Sequence, residues 1–313
     1  MIIMRNSIYN AFLAFATERQ NIFYKRIQNK KFPWTNDEIL CKYKFTNAYR
    51  VCDRTTQYLI KNIIYNGNYG EEDIVFRILL FKFFNKIDTW RYIEDMLGKI
   101  TYKNFTIEKY EKVLALAYHQ QRKIFSGAYI MPSRCKTFNN NKKYQNYLQL
   151  LDYMMKNKIA IKVCSCKSLK QVYQTLLEFP MIGKFLAFQY AIDLNYSEIV
   201  DFSEMDFVVA GPGARSGIKK CFQNIGDFNP EQIIQYVTER QEREFERLHL
   251  NFHYLYGRRL QLIDCQNLFC EFDKYARMKF PDVEGLYHRT RIKRNYHINH
   301  IPIEYFYPPK WKL

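Results

Sequence analysis

The chain has 313 residues, of which 48% are hydrophobic and 17% aromatic, and this apolar content excludes global disorder. Lysine and arginine number 48 against 31 acidic residues, so the formal net charge is +17. A folded protein this basic attracts polyanions, of which nucleic acid is the commonest and an anionic membrane surface the alternative. No apolar stretch approaches the length of a membrane span, so we expect none.

The eight cysteines show neither a disulfide framework nor the paired spacings of a zinc site. The apolar start of the chain, within Met1–Arg5, is too short for the core of a signal peptide. We therefore expect a cytoplasmic protein with buried free thiols, no metal and no cofactor.

Apolar spacing predicts an all-α fold. In chain order, helices are expected over 7–28, from a Thr35 capping box into Tyr43, and over 46–65, 71–85, 88–96, 106–124, 142–158, 168–178, 184–193, 230–250 and 261–279. Only the short segment 159–164 alternates as a strand does. A basic, aromatic tail follows Pro281, which divides the chain into domains at 1–280 and 281–313. We expect this tail to wrap the surface or to contact phosphate, with a solvated tail as the alternative.

The most informative pattern begins where a capped helix ends at Phe179 and a tight turn leads into a second apolar helix. Gly183 in this turn lets backbone N–H groups approach a phosphate, and the helix dipole adds attraction. The pattern resembles the helix–hairpin–helix of DNA glycosylases, in which a glycine stands where Met181 stands here. Met181, Gly183 and Lys184 are therefore predicted to bind DNA phosphate, and an ordinary helical corner is the alternative interpretation.

An acidic residue follows the hairpin at the place where that superfamily carries an essential aspartate. Asp206 lies 23 residues beyond Gly183 and has apolar neighbours, so we expect it to be half-buried. Desolvation would tune such a carboxylate as a base for water or as a partner for positive charge on the sugar.

Residues 211–217 contain three glycines and a proline, which predict a fixed loop with a helix behind it. The backbone at Gly213, with Arg215, Lys219 and Lys220, is predicted to form a cradle for phosphate. The GxxxxGK[ST] spacing of a P-loop is absent from this segment. A purely structural turn is the alternative.

The run Asp201–Phe222 resembles the DNA base-hypermodification group, which includes α-glutamyl/putrescinyl-thymine pyrophosphorylases and the helical domain fused to hydroxymethyluracil DNA kinases. Further segments that carry the resemblance are Phe32–Thr35, Phe45–Arg50 with Asp53, Phe84-Asn85 with Thr89-Trp90, Gly127–Tyr129 and Asp264–Phe272 with Lys274-Tyr275. The resemblance implies a helix–hairpin–helix DNA glycosylase-like fold with two intimate helical lobes.

The resemblance also implies two chemistries. Our first hypothesis is a monofunctional DNA glycosylase that excises a bulky modified pyrimidine, such as a base of phage DNA, and leaves an abasic site, with a role in antiphage defence. The lysine of bifunctional glycosylases is replaced here by Phe185, so no Schiff base is expected. The alternative is a transferase that places an amino acid or amine on activated 5-hydroxymethyluracil in DNA. A non-catalytic DNA-binding protein is the second alternative.

Under the excision hypothesis the target nucleotide is flipped out of the duplex, and Asp206 is the catalytic residue. The predicted base pocket consists of Trp34, Asn47, Tyr49, Arg50 and Tyr129. Large aromatic side chains normally serve packing, and Arg50 lies one helical turn from Asp53, so each has a structural alternative. We expect a monomer whose partner is modified, double-stranded DNA.

Overall fold

A computed structural model describes residues 1–299 and 301–313. With 54% helix and 3% strand, it confirms the predicted all-α class. The chain divides into two compact units, each made of two stretches of sequence. Unit 1 comprises Met1–Asp53 and Phe207–Ile303, and unit 2 comprises Arg54–Asp206 and Glu304–Leu313. Within the described residues no helix combines the length and apolar character needed to cross a bilayer.

The helices in chain order are α1 (Asn6–Ile27), α2 (Glu38–Lys42), α3 (Arg54–Tyr58), α4 (Glu71–Phe84), α5 (Ile87–Leu97), α6 (Ile107–His119), α7 (Lys143–Lys156), α8 (Ile159–Cys164), α9 (Leu169–Leu177), α10 (Lys184–Leu194), α11 (Pro212–Cys221), α12 (Pro230–Glu239), α13 (Gln241–Arg247) and α14 (Leu262–Lys279). Two short strands, β1 (Ile3–Met4) and β2 (Phe222–Asn224), pair antiparallel. A π-helical segment, Leu59–Ile64, continues α3.

The core of unit 1 forms where α1 packs against α11 and α14. The ring of Phe12 stacks on that of Phe269 with centroids 4.3 Å apart, which ties the first helix of the unit to the last. The tail after α14 also packs on this unit, because Lys44 N donates to Arg294 O and Tyr296 N donates to Lys42 O. The prediction that the tail wraps the surface is confirmed.

Unit 2 is built around α4, whose residues are buried without interruption from Val75 to Phe84 because other helices of the unit contact several of its faces. Three acidic residues in its first turn favour its start, and Asn85 ends it in the left-handed conformation, with φ 48°. The C-terminal segment docks on the same unit, where Lys310 Nζ donates to the carbonyls of Ser197 and Val200.

The predicted strand at 159–164 is wrong, because these residues form α8. Ile159, Ala160 and Val163 lie on its buried face at helical spacing. The predicted cap of α2 is also displaced, since the Asp37 carboxylate, rather than Thr35, accepts from Ile39 N and Leu40 N.

Two predicted long helices are interrupted by buried side chains that bind backbone carbonyls. The segment 46–65 does not form one α-helix, and Arg77 from α4 donates to the carbonyl of Ile63 at 2.9 Å in its π-helical part. The segment 230–250 breaks into α12 and α13, where the Gln241 amide donates to Thr238 O at 2.6 Å and Leu260 O at 3.0 Å. In both places a distant side chain replaces regular helical hydrogen bonding.

Candidate functional site

The helix–turn–helix predicted around Gly183 is present in unit 2, where α9 and α10 flank it. Met181 adopts φ 66°, the left-handed conformation that the glycine of the resembling motif would supply. Gly183 is exposed at the N-cap of α10, and a Cβ placed there would meet no atom within 4 Å. No side chain caps this helix. Its first N–H groups are therefore open to an anion, and Lys184 stands exposed beside them.

The predicted pocket residue Tyr129 lies next to this turn. Its half-buried ring stacks on Phe185 with centroids 6.1 Å apart and planes 15° apart. Because Phe185 directly follows Lys184, a stacking surface for a base and a phosphate-binding helix start are neighbours. We call the group Tyr129, Gly183, Lys184, Phe185 and Lys82 the hairpin site.

Lys82 supplies a buried positive charge beneath Tyr129. Its Nζ lies 4.3 Å from the Tyr129 ring centroid, 3.1 Å from Asp193 Oδ2 and 3.0 Å from Asn85 Oδ1. The Lys82 and Asp193 side chains are 3% and 0% exposed, so their attraction is only weakly screened by water. This pair fixes α4 to α10 and holds a cation against the face of the aromatic ring.

Sequence reasoning missed Lys82, Asn85 and Asp193. The available signal was a charged residue inside a continuous apolar run, in FRILLFKFF for Lys82 and in FLAFQYAIDL for Asp193. A charge on a helix that is apolar all round requires a buried partner.

Three of the predicted pocket residues, Asn47, Tyr49 and Arg50, are buried in unit 1 and serve its backbone. Asn47 Nδ2 donates to Cys52 O at 2.8 Å. The Tyr49 hydroxyl donates to the carbonyl of Arg258, and Arg50 N donates to Asp264 Oδ1 at 2.9 Å. Their placement favours the structural alternative for each of them.

A buried acid beside these residues gives unit 1 a pH dependence. Burial raises the pKa of the Asp53 carboxyl from 3.8 to about 6, and a hydrogen bond from Asn47 N opposes the rise. Because the folded-state pKa is raised, the group stabilises the fold below pH 3.8, and this contribution is lost as the pH rises through 6.

Asp53→Asn should remove this pH dependence while leaving an acceptor for Asn47 N. We expect the melting temperature of the variant, relative to the wild type, to rise by roughly 5 °C between pH 4 and pH 7. Thermal unfolding followed by circular dichroism across this range measures it. A difference between the two proteins that stays constant with pH would contradict the assignment.

Trp34 lies half-buried on the surface of unit 1. Its Nε1 donates to Lys30 O at 2.7 Å, and the Arg26 guanidinium lies 5.2 Å from its ring centroid. The adjacent cavity holds only about 30 Å³, which is the volume of about one water molecule. Trp34 therefore has no room beside it for a base in this structure.

The glycine-rich segment is not a loop, because α11 begins at Pro212 with Gly211 as its N-cap. A Cβ on Gly213 would lie 2.3 Å from Cys270 Sγ, and a Cβ on Gly217 would lie 2.1 Å from the carbonyl oxygen of Phe269. The glycines thus allow α11 and α14 to approach closely, and this packing requirement explains the composition.

The three cations predicted near this segment have different environments. Lys220 is buried, and its Nζ lies 3.2 Å from Asp273 O and 3.4 Å from Asp273 Oδ1. Burial lowers the pKa of Lys220, although Asp273 opposes this effect. The prediction that Lys220 binds phosphate is therefore not supported by its position. Arg215 is exposed and pairs with Glu231 at 3.0 Å, and Lys219 is exposed, so both stay predicted phosphate contacts.

Asp206 is exposed, and the expectation of a half-buried carboxylate is wrong. Its backbone N–H donates to Ser203 O at 3.2 Å, which places it in a turn of unit 2. The apolar neighbours that suggested burial do not enclose it, because only Val208 among the next three residues is buried. Within the described residues no cluster of three or more His, Cys, Asp or Glu side chains suits a metal ion.

Comparison with known proteins places the chain in a family. The profile of the family described as "5-hmdU DNA kinase, helical domain" matches residues 6–285. The chain belongs to this family. A curated relative, the 5-hmdU DNA kinase of Bacillus phage SP10, is 27% identical over 293 residues. The alignment covers 86% of this chain and 45% of the relative, so the chain spans less than half of that protein's length.

The family assignment supports the predicted resemblance to DNA base-hypermodification proteins. It overturns the first functional hypothesis, because members of a 5-hmdU DNA kinase family modify DNA by group transfer and are not hydrolytic glycosylases. The hypermodification alternative fits better. No solved structure matches the chain significantly.

Proposed function

We propose that this chain binds DNA that contains 5-hydroxymethyluracil and acts in the transfer of a group onto that base. The observation that carries the proposal is the match of residues 6–285 to the helical domain of 5-hmdU DNA kinases. The net charge of +17 suits a DNA partner, and the substrate of the relative's printed activity is DNA.

The hairpin site is the proposed contact with double-stranded DNA. The open N–H groups at Gly183 and the Lys184 ammonium would bind one phosphate, and Tyr129 with Phe185 would stack on a base that has left the duplex. The left-handed Met181 favours a helix–hairpin–helix fold of the glycosylase type, adapted here to a different reaction. The role predicted for Asp206 belonged to base excision and is not carried over.

The reaction that we propose is transfer of an amino acid or amine to activated 5-hydroxymethyluracil. The amine nitrogen forms a bond to the methylene carbon on the pyrimidine ring, and the carbon–oxygen bond to the activating pyrophosphate breaks. Pyrophosphate leaves with the bonding electron pair, and the amine loses one proton. The positive charge of Lys82 beneath the Tyr129 ring would favour a negatively charged substituent at this place.

Mass spectrometry of nucleosides from three substrate duplexes tests the proposal. The duplexes carry thymine, 5-hydroxymethyluracil with ATP and Mg²⁺, or pyrophosphorylated 5-hydroxymethyluracil with a set of amino acids and polyamines. We expect an amine adduct from the third duplex alone. A phosphorylated nucleoside from the second would assign phosphoryl transfer instead. Selective binding without any product would make the chain a DNA-binding module of a larger enzyme, and neither preference nor product would overturn the proposal.

Lys184→Ala tests the phosphate contact separately from the chemistry. We expect the variant to weaken binding to every duplex about equally and to reduce the slope of log K against log salt concentration by about 0.9, because one phosphate contact is lost. Fluorescence anisotropy over a range of salt concentrations measures the slope. A loss confined to 5-hydroxymethyluracil DNA would place Lys184 at the base instead of at the backbone.

A further inference from the structure

The segment 120–142 of unit 2 connects α6 to α7 and contains five lysine or arginine residues with no aspartate or glutamate. We call it the basic loop. Connections of this length without secondary structure are uncommon in compact units, and they usually serve binding or remain disordered. The question is therefore whether the core of unit 2 holds the basic loop in shape.

Buried side chains of α7 hold the basic loop in place. The Tyr147 hydroxyl donates to Met131 O at 3.0 Å. The Asn146 amide, which is fully buried, donates to Ser133 O at 2.8 Å and accepts from Asn140 N at 2.8 Å. Buried amides that satisfy loop backbone in this way cost stability when removed, so the basic loop is a built feature of the fold.

One apolar side chain at the centre of the basic loop points into solvent. Ile130 is 68% exposed, although its neighbour Met131 is only 1% exposed and Tyr129 is half-buried on Phe185. The anchored neighbours on both sides fix the direction of Ile130. A single exposed isoleucine is ordinary by itself, but this one stands among cations and next to the hairpin site.

We propose that the basic loop grips the backbone of duplex DNA beside the target nucleotide, and that Ile130 is a wedge that enters the base stack where the target base has left it. The inference deepens the proposed function, on which it rests. Apolar side chains inserted between bases unstack them, and cations beside the wedge bind the flanking phosphates. The everted base would then reach Tyr129, which is directly adjacent to Ile130 in the chain.

The charge of the basic loop is tested with Arg134→Ala/Lys136→Ala, both exposed positions. The matched control is Lys109→Ala/Lys112→Ala, which removes two exposed lysines from α6. On an unmodified duplex we expect the salt slope of binding to fall by about 1.8 for the loop variant and to remain unchanged for the control. Equal slopes for the two variants would overturn the role of the basic loop.

The wedge is tested with Ile130→Ala against Ile161→Ala, an isoleucine of α8 in the same unit that is 65% exposed. A 2-aminopurine placed next to 5-hydroxymethyluracil in a duplex reports unstacking by its fluorescence. We expect the wild type and Ile161→Ala to raise this fluorescence alike, and Ile130→Ala to weaken the response about tenfold. Binding of the same sequence as a single strand should change less than about twofold, because no stack has to be opened.

The outcomes separate this inference from the function on which it rests. If Ile130→Ala matches Ile161→Ala on the duplex while the wild type unstacks it, the wedge is overturned and the proposed function survives. If the wild type shows no preference for 5-hydroxymethyluracil DNA, the proposed function fails, and the salt slopes on unmodified duplex still decide whether the basic loop binds the backbone.

Discussion

Lys82→Met is expected to lower the free energy of unfolding by about 3–5 kcal/mol, because it leaves a buried carboxylate without its principal counter-charge. The Lys82 and Asp193 side chains are 3% and 0% exposed, and Lys82 Nζ lies 3.1 Å from Asp193 Oδ2. Methionine preserves most of the volume of the lysine side chain, so the loss reports the charge more than the packing. Urea unfolding followed by circular dichroism measures the effect.

Two further variants make this result specific to the buried pair. Lys82→Met/Asp193→Leu should recover most of the loss, since an apolar pair in place of a buried ion pair is often neutral. Lys86→Met removes a lysine that pairs with an exposed Asp88, and it should cost at most about 1 kcal/mol. If Lys82→Met and Lys86→Met were equally mild, the buried pair would not contribute as its geometry suggests.

Gly217→Ala is the second large effect that we expect, with a loss of about 3 kcal/mol in the free energy of unfolding. The new Cβ would lie 2.1 Å from the carbonyl oxygen of Phe269, so the backbones of α11 and α14 would have to separate. Thermal or urea unfolding measures the loss. Gly70→Ala is the control, because its Cβ would meet no atom within 4 Å. Equal effects at the two glycines would contradict the close helix contact.

Helix boundaries were predictable where local signals agree with each other. The acidic first turn and the apolar run predict 71–85, and α4 spans Glu71–Phe84. The two helices around Gly183 were predictable for the same reason. Local signals failed where a distant residue decides the structure. Gly217 suggests a loop by composition, but it contacts Phe269, which lies 52 residues later in the chain.

The candidate site was predictable only in part. Tyr129 and the hairpin residues were found from motifs, whereas Lys82 and Asp193 are 111 residues apart in the chain and meet only in the folded unit. The choice between excision and transfer was wrong because one fold can host both reactions, and the motifs that indicate the fold do not determine the chemistry.

The order in which the units complete themselves follows from their discontinuous sequences. The first stretch of unit 1 ends at Asp53, and the second begins at Phe207, with 153 residues of unit 2 between them. At about 5–20 residues per second, translation of that insert takes roughly 10–30 s, during which α1 waits for α11 and α14. The apolar face of α1 is thus exposed on the nascent chain, so the synthesis of this protein creates a binding window for ribosome-associated chaperones.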